Sequence, residues 1–195
     1  YSLVDHSKET FFENVFQVMP GEYIEVNFKG EIISKKKWYD LKNKINLGIN
    51  KIKKSPIKYL EEFSSIFEET MKIHSRSDVD IGLSISGGLD SQALLSELIS
   101  KKKVKSLSTY NFYFSNKKHS EKEKVKKLLK KINVDENYIL FKSNFIKKIK
   151  ENIKIQEQPF GGVATMAMQS LYSKARNDGL KVLLNGSGSD DYLSG

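Results

Sequence analysis

Ile81-Gly82-Leu83-Ser84-Ile85 runs directly into Ser86-Gly87-Gly88-Leu89-Asp90-Ser91, and a helical pattern follows at once. Val79 to Ile85 is short and apolar-rich, as in a strand buried on both faces. Ser91 to Ser100 has helical spacing, with Ala93, Leu94 and Leu98, and Leu95 beside them, expected inward. Between the two, glycines let the chain turn tightly. The first-turn N–H groups of the helix then point above the sheet with the helix dipole behind them. Gly87 and Gly88 carry no Cβ, so an oxygen-rich anion can approach the backbone. Ser86 and Ser91 offer hydroxyl donors. Asp90 is out of place in a purely anionic site, and makes sense if a magnesium ion bridges its carboxylate to phosphate.

Downstream the rhythm repeats. Ser106 to Phe114 reads as extended. Ser120-Glu121-Lys122-Glu123 has the form of a capping box, opening a helix with Val125, Leu128, Leu129 and Ile132 inward. Tyr138 to Phe141 reads as a strand, Phe145, Ile146, Ile149 and Ile153 as a helix face, Val163 to Asp178 as a helix closed by Gly179 at C′, and Lys181 to Leu184 as a last strand. Strand alternating with helix predicts an α/β fold, a doubly wound, mainly parallel sheet with helices on both faces. A second loop, Asn185-Gly186-Ser187-Gly188-Ser189-Asp190-Asp191, leaves that last strand. Loops from the carboxyl ends of parallel strands face one crevice, so Asp90 and Asp190 are expected to be two hard oxygen ligands for the same magnesium.

Upstream, Ser55-Pro56 opens a helix whose Leu60, Phe63, Phe67 and Met71 line one face, broadened by Ile66 and Ile73. Before it, Ile24, Val26 and Phe28 alternate with polar residues, as on a half-buried strand. Lys29-Gly30 offers a two-residue turn, Glu31-Ile32-Ile33-Ser34 returns, and the hairpin closes at Trp38-Tyr39. The lysine- and asparagine-rich stretch 43–54 reads as a linker. The expected organisation is therefore a β-hairpin region at 1–42, a linker at 43–54 and an α/β domain at 55–195.

Composition excludes several classes. The chain has 195 residues and no cysteine, which removes disulfides, thiolate metal sites and a cysteine nucleophile. No apolar run approaches the ~20 residues of a membrane span. The opening residues lack a signal-peptide pattern, so a cytoplasmic location is expected. The net charge of +9 is carried almost entirely by lysine, in runs such as Lys35-Lys36-Lys37 and Lys101-Lys102-Lys103. Nucleic-acid readers lean on arginine forks and interleaved aromatics, so this charge reads as a solvated surface. His6, His74 and His119 lack metal-ligand spacing. Met166 and Met168 read as core filler, and Tyr110, Phe112, Tyr113 and Phe114 as strand packing with one ring left to border a ligand.

The Ser86 to Ser91 string is not a Walker A loop, since no lysine follows the glycines. It resembles the PP-loop of enzymes that split ATP into AMP and pyrophosphate, and at greater length the chain resembles the asparagine synthetase family. Phe11-Phe12 through Met19-Pro20-Gly21-Glu22-Tyr23, then Trp38-Tyr39-Asp40, looks like the end of that family's glutaminase domain. Glu157-Gln158-Pro159-Phe160-Gly161-Gly162 resembles its segment entering the substrate side of the cleft. Asn185 to Asp191 resembles its second loop, usually Ser-Gly-Glu/Gln-Gly-x-Asp-Glu. The resemblance implies that Ile85, Thr109, Asn185 and Gly186 line an adenosine pocket. It further implies that Ser86, Gly87, Gly88 and Ser91 hold pyrophosphate, and that Asp90 and Asp190 hold Mg2+ and act in catalysis.

By that resemblance the partners are ATP, aspartate or another carboxylate, and ammonia from a glutaminase domain, with a homodimer left open. The activity implied is ATP-dependent amidation of a carboxylate through an acyl-adenylate. Departures are plain: Ser187 stands where the family has Glu or Gln, Asp191 replaces Glu, and the glutaminase cysteine is missing. A family lysine lies beyond Gly195, so the expectation is a truncated domain, inactive by itself. Two alternatives stay open: a relative with another acceptor (a β-lactam or lasso-peptide cyclase, or a sugar-carboxylate amidating enzyme), and a non-catalytic nucleotide-binding module.

Overall fold

The computed structural model describes residues 6–45, 55–100, 106–142, 144–159 and 161–190. Residues 46–54 of the linker expected at 43–54, the Lys101-Lys102-Lys103 run, Phe160 and Asp191 lie outside them. The chain divides into two compact units, Tyr1–Phe63 and Ser64–Gly195.

In the first unit, β1 (Glu22–Val26) and β2 (Ile32–Lys37) form an antiparallel pair with a register shift at Glu25/Val26. The turn is longer than the two residues expected. Asn27 ends the strand because its Oδ1 accepts the N–H groups of Lys29 (2.9 Å) and Glu31 (3.0 Å), while Gly30 adopts φ +82°. This Asx arrangement competes with strand pairing. Phe28 is thereby turned fully to solvent, and Ile24 and Val26 are exposed as well. The expected half-buried face is not buried, because among the described residues of this unit no second layer covers the two strands. Residues 41–45 are helical.

Helix α1 (Pro56–His74) starts at its proline and spans the unit boundary. Its last turns carry the described core contacts: Met71 is buried and Phe67 lies against the core, while Leu60, Ile66 and Ile73 are exposed. The apolar stripe is thus wider than the face the core uses.

The second unit is a parallel sheet of four strands in the order β5-β4-β3-β6, comprising β3 (Ile81–Ser84), β4 (Ser108–Tyr113), β5 (Asp135–Leu140) and β6 (Val182–Leu184). Between them run α2 (Leu89–Ser100), α3 (Lys122–Leu129), α4 (Phe145–Gln156) and α5 (Gly162–Asn177). Side chains alternate across the sheet. Leu83 and Ile85 pack with Leu95 and Leu98 of α2 and Val125 and Leu129 of α3. On the opposite face Tyr110 packs with Leu171 and Ala175 of α5, and Phe112 and Leu183 border that cluster. Helices therefore cover both faces, as the alternating pattern predicts.

Three local expectations are corrected. On α2, Ala93 is exposed on the cavity wall instead of inward, while Leu95 and Leu98 are buried and Leu94 packs against them as expected. On α4, Ile146 is 70% exposed and the buried residue is Asn152, whose amide donates to the Lys148 carbonyl and to Gln169 of α5. The Phe145 side chain lies outside the described residues. Ser120 builds no capping box. Its Oγ meets the Lys122 N–H at 3.4 Å, and it closes a 3-10 turn over Lys117–His119 instead.

Helix α5 ends as its sequence predicts. Gly179 has φ +90°, its N–H donates to Arg176 O, and Leu180 N–H donates to Ala175 O, which is the Schellman arrangement. Asp178 beside it accepts the Tyr110 hydroxyl at 2.9 Å. Burial first, then Asp178, pushes the Tyr110 phenol up to about 12 from its ordinary 10.0. Burial likewise raises Tyr138, which donates to Glu136. The unfolded chain releases these protons at lower pH than the folded one. The stabilisation is therefore whole below about pH 10 and is lost as pH rises through the folded value, a change on the order of 2 kcal/mol for Tyr110. Urea unfolding at rising alkaline pH should show Tyr110→Phe losing less stability than the parent. Parallel losses would remove Tyr110 as the cause.

Candidate functional site

The loop after β3 is wired mostly to itself. Ser91 Oγ, buried at the start of α2, accepts the Ser86 N–H (3.1 Å) and lies within 3.1 Å of the Ser86 and Gly88 carbonyls and 3.0 Å of Ser86 Oγ. Ser86 Oγ accepts the Gly88 N–H (3.1 Å), and Gln92 Nε2 donates to Gly87 O (3.1 Å). A residue distant in sequence also joins: Glu121, just before α3, accepts the Gly87 N–H at 3.0 Å. Asn111 of β4 holds the strand end, its Nδ2 donating to Ile85 O at 2.8 Å.

These bonds sort the donors. The N–H groups of Ser86, Gly87 and Gly88 are taken by the protein. Among the described residues no acceptor meets those of Leu89, Asp90 and Ser91, which open α2 and have no carbonyl four residues back within the helix. The Ser91 hydroxyl shapes the loop, so its N–H is the part left for a ligand.

The second loop reaches the first. A Cβ on Gly186 would lie 3.0 Å from Asp90 Cβ and 3.3 Å from the Ser91 nitrogen. A glycine allows this approach without any shift of the first turn of α2. Asn185 Oδ1 accepts the Ser187 N–H (3.0 Å), Ser189 Oγ donates to Gly186 O (3.0 Å), and Gly188 turns the chain with φ +93°.

The two loops enclose a cavity of about 880 Å3 at the carboxyl ends of β3, β4 and β6. That size suits a small-molecule or cofactor site, and the position is the point where the chain leaves β3 for β4 on one side and later returns as β6 on the other. Of the residues expected from the sequence, Ile85, Ser86, Gly88, Asp90, Ser91, Asn185, Gly186 and Asp190 line it. Gly87 faces α3 instead. Thr109 is also away from the cavity: it is buried in β4 and its hydroxyl donates to Asp135 O at 3.0 Å. At ~3.3 Å of rise per residue, Thr109 sits too far below the strand end, and Asn111 and Phe112 occupy the cavity wall. His119, Glu121 and Met168 line it too. Met168 is therefore not core filler, whereas Met166 is buried. The segment 157–162, described apart from Phe160, is not among the lining residues; Glu157 caps α4 in the left-handed region with φ 56°.

Among the described residues no cluster of three or more His, Asp or Glu gathers as a metal site. Asp90 and Asp190 are the two Asp carboxylates on the cavity wall. Magnesium needs no more from protein, since it binds through one or two carboxylates plus phosphate oxygens and water. The Asn111 Oδ1 is buried and has no partner among the described residues, which fits a ligand donor at this wall. Among the described residues no helix is long and apolar enough to cross a membrane.

Fold and cavity define a parallel α/β domain with a cleft between two strand-end loops. The sequence model of the asparagine synthase family matches residues 62–195, and the chain belongs to that family. It is 27% identical over 139 residues to a putative glutamine-hydrolysing asparagine synthetase 2 of Methanocaldococcus jannaschii, covering 71% of this chain and 27% of that protein. It is 25% identical over 202 residues to asparagine synthetase 2 of Bacillus subtilis, covering 98% of this chain and 26% of that protein. The chain thus spans about a quarter of the length of these relatives. A solved structure described as a predicted subunit of a tRNA methyltransferase from M. jannaschii is 20% identical with a TM-score of 0.35, covering 60% of this chain and 57% of that one; a likeness of this size carries no argument.

Proposed function

We propose that this chain supplies the ATP-using cleft of an enzyme that amidates a carboxylate in the cytoplasm, with residues 1–42 as the end of a glutaminase-type domain. The observation that carries the reading is the meeting of the two loops. Gly186 backs onto Asp90, so the free N–H groups of Leu89 to Ser91 and the carboxylates of Asp90 and Asp190 serve one cavity. Amides at a helix N-terminus suit the pyrophosphate end of ATP, and Asn111 Oδ1 and the Phe112 ring suit its nucleoside end.

In this reading a substrate carboxylate oxygen attacks the α-phosphorus. The bond from that phosphorus to the bridging oxygen breaks, and pyrophosphate leaves with the electron pair. Ammonia then attacks the acyl carbon of the resulting acyl-adenylate, AMP departs, and the nitrogen gives up a proton to solvent. Magnesium, when bound, neutralises charge on the phosphate oxygens. The chain's own part is to fix donors before charge develops. The α2 amides face the leaving pyrophosphate, and the wiring of Ser86, Ser91 and Gln92 keeps them in place.

The test is a titration of the isotope-labelled chain with ATP and Mg2+, read by amide NMR. Saturable shifts are expected at Leu89, Asp90, Ser91 and Gly186. Shifts absent there, or confined to the lysine-rich surface, overturn the reading.

A further inference from the structure

Among the described residues Glu121 is the one side chain beyond the 86–92 segment that bonds the backbone of the glycines. Its carboxylate accepts the Gly87 N–H at 3.0 Å from 34 residues away in sequence. A Cβ on Gly87 would lie 3.0 Å from Lys124 Cδ and 3.4 Å from Glu121 Oε1, whereas one on Gly88 would meet only Ser86 Oγ. The two glycines thus have different surroundings. Gly87 is pressed against the start of α3, and Gly88 stands on the cavity wall. Helix α3 is a firm support: Val125 and Leu129 are fully buried in the core, and the Lys122 ammonium sits 4.2 Å from the Tyr113 ring centre.

We propose that Glu121 is a positioning residue for pyrophosphate binding, which clamps the first loop glycine to α3 so that the following amides face the cleft. The proposal rests on the nucleotide reading above and adds a residue to it. The physical need is clear. Two adjacent glycines have wide backbone freedom, and rotation of the Ser86–Gly87 peptide before them could carry the α2 amides out of line. The peptide between the glycines is held at both ends, Gly88 N–H by Ser86 Oγ and Gly87 O by Gln92. Glu121 holds the Gly87 N–H of the preceding peptide, through a charge-assisted bond, a strong class of hydrogen bond. Its carboxylate is committed to an amide that faces α3, so it does not compete with a phosphate for the amides of Leu89 to Ser91.

The experiment compares the parent chain with Glu121→Ala and Glu121→Gln, titrated by NMR with Mg-ATP, Mg-pyrophosphate and AMP. Amide hydrogen exchange at Gly87 is followed alongside. Glutamine keeps an oxygen that can accept the Gly87 N–H, and alanine does not. Glu121→Ala should weaken Mg-ATP and Mg-pyrophosphate by about tenfold and leave AMP within about twofold. Gly87 exchange should quicken in Glu121→Ala alone. Glu121→Gln should stay within about threefold of the parent for all three ligands.

If Glu121→Ala binds pyrophosphate as the parent does, the clamp is overturned. Stronger binding overturns it too, by making Glu121 a competitor. An equal loss for AMP assigns Glu121 to general stability and overturns it, as does a glutamine variant as weak as the alanine one. A parent that binds neither Mg-ATP nor Mg-pyrophosphate sinks the nucleotide reading itself, a result distinct from these because it appears before any variant is made.

Discussion

Asp90→Asn and Asp190→Asn should each abolish the response of ATP binding to magnesium. In the parent, Mg2+ should raise ATP affinity by about tenfold or more, because two carboxylates and the phosphate oxygens share the ion. Asparagine keeps the size and one oxygen but removes the charge that holds a hard cation. Without magnesium the sign reverses. A carboxylate facing a polyphosphate repels it, by about 1 kcal/mol or more at contact distances near a surface, so each variant should bind magnesium-free ATP at least as well as the parent. Paired titrations with Mg2+ and with a chelator check both halves. If Asp190→Asn keeps the full magnesium response, the two loops do not share one ion.

What the sequence makes legible here is whatever is local. The stretch 81–91 announces strand, glycine turn and helix together, because each needs a different residue type and all three stand in order. Gly179 closes α5 as expected because a Schellman end is decided within six residues. Contacts decided at long range are not legible. Ser120 to Glu123 has the letters of a capping box, yet Glu121 reaches Gly87 and the preceding 3-10 turn claims Ser120. On α4 the isoleucine spacing marks a helix correctly but not its buried side, because the contact that orients it runs from Asn152 to Gln169 of α5. Thr109 and Asn111 point to the same face of β4 by alternation. Only the position of the strand end, which pairing with β3 and β5 fixes, decides which of them reaches the cavity. His119 could be found only through its neighbours, since a lone histidine in a lysine-rich turn carries no signal of its own.

Gly186→Val should destroy the site while leaving the rest of the second unit folded. At this position even a Cβ would stand 3.0 Å from Asp90 Cβ, 3.3 Å from the Ser91 nitrogen and 3.4 Å from the Asp90 carbonyl carbon. Those atoms are backbone or attached directly to it, at the first turn of α2, so they cannot swing aside as the end of a long side chain could. Relief must come from the second loop, whose hold among the described residues, apart from turns within itself, is the pairing of β6 to β3. The valine therefore lifts residues 185–190 away from Asp90. Overpacking of this kind costs about 1–3 kcal/mol, and displacement of the exposed loop relieves part of it, so the fall in melting temperature should be modest. Binding should suffer more. Asp190 moves off with its loop, the cavity opens to water, and ATP affinity in the presence of Mg2+ should drop by about thirtyfold or more, a loss near 2 kcal/mol. Gly186→Ala should fall between, since a methyl group needs only a few tenths of an ångström. Thermal melting and Mg-ATP titration of both variants separate the two effects. Parent-like ATP binding by Gly186→Val would mean that the loops do not cooperate, and a collapse of the fold would mean that the second loop supports the sheet rather than the site.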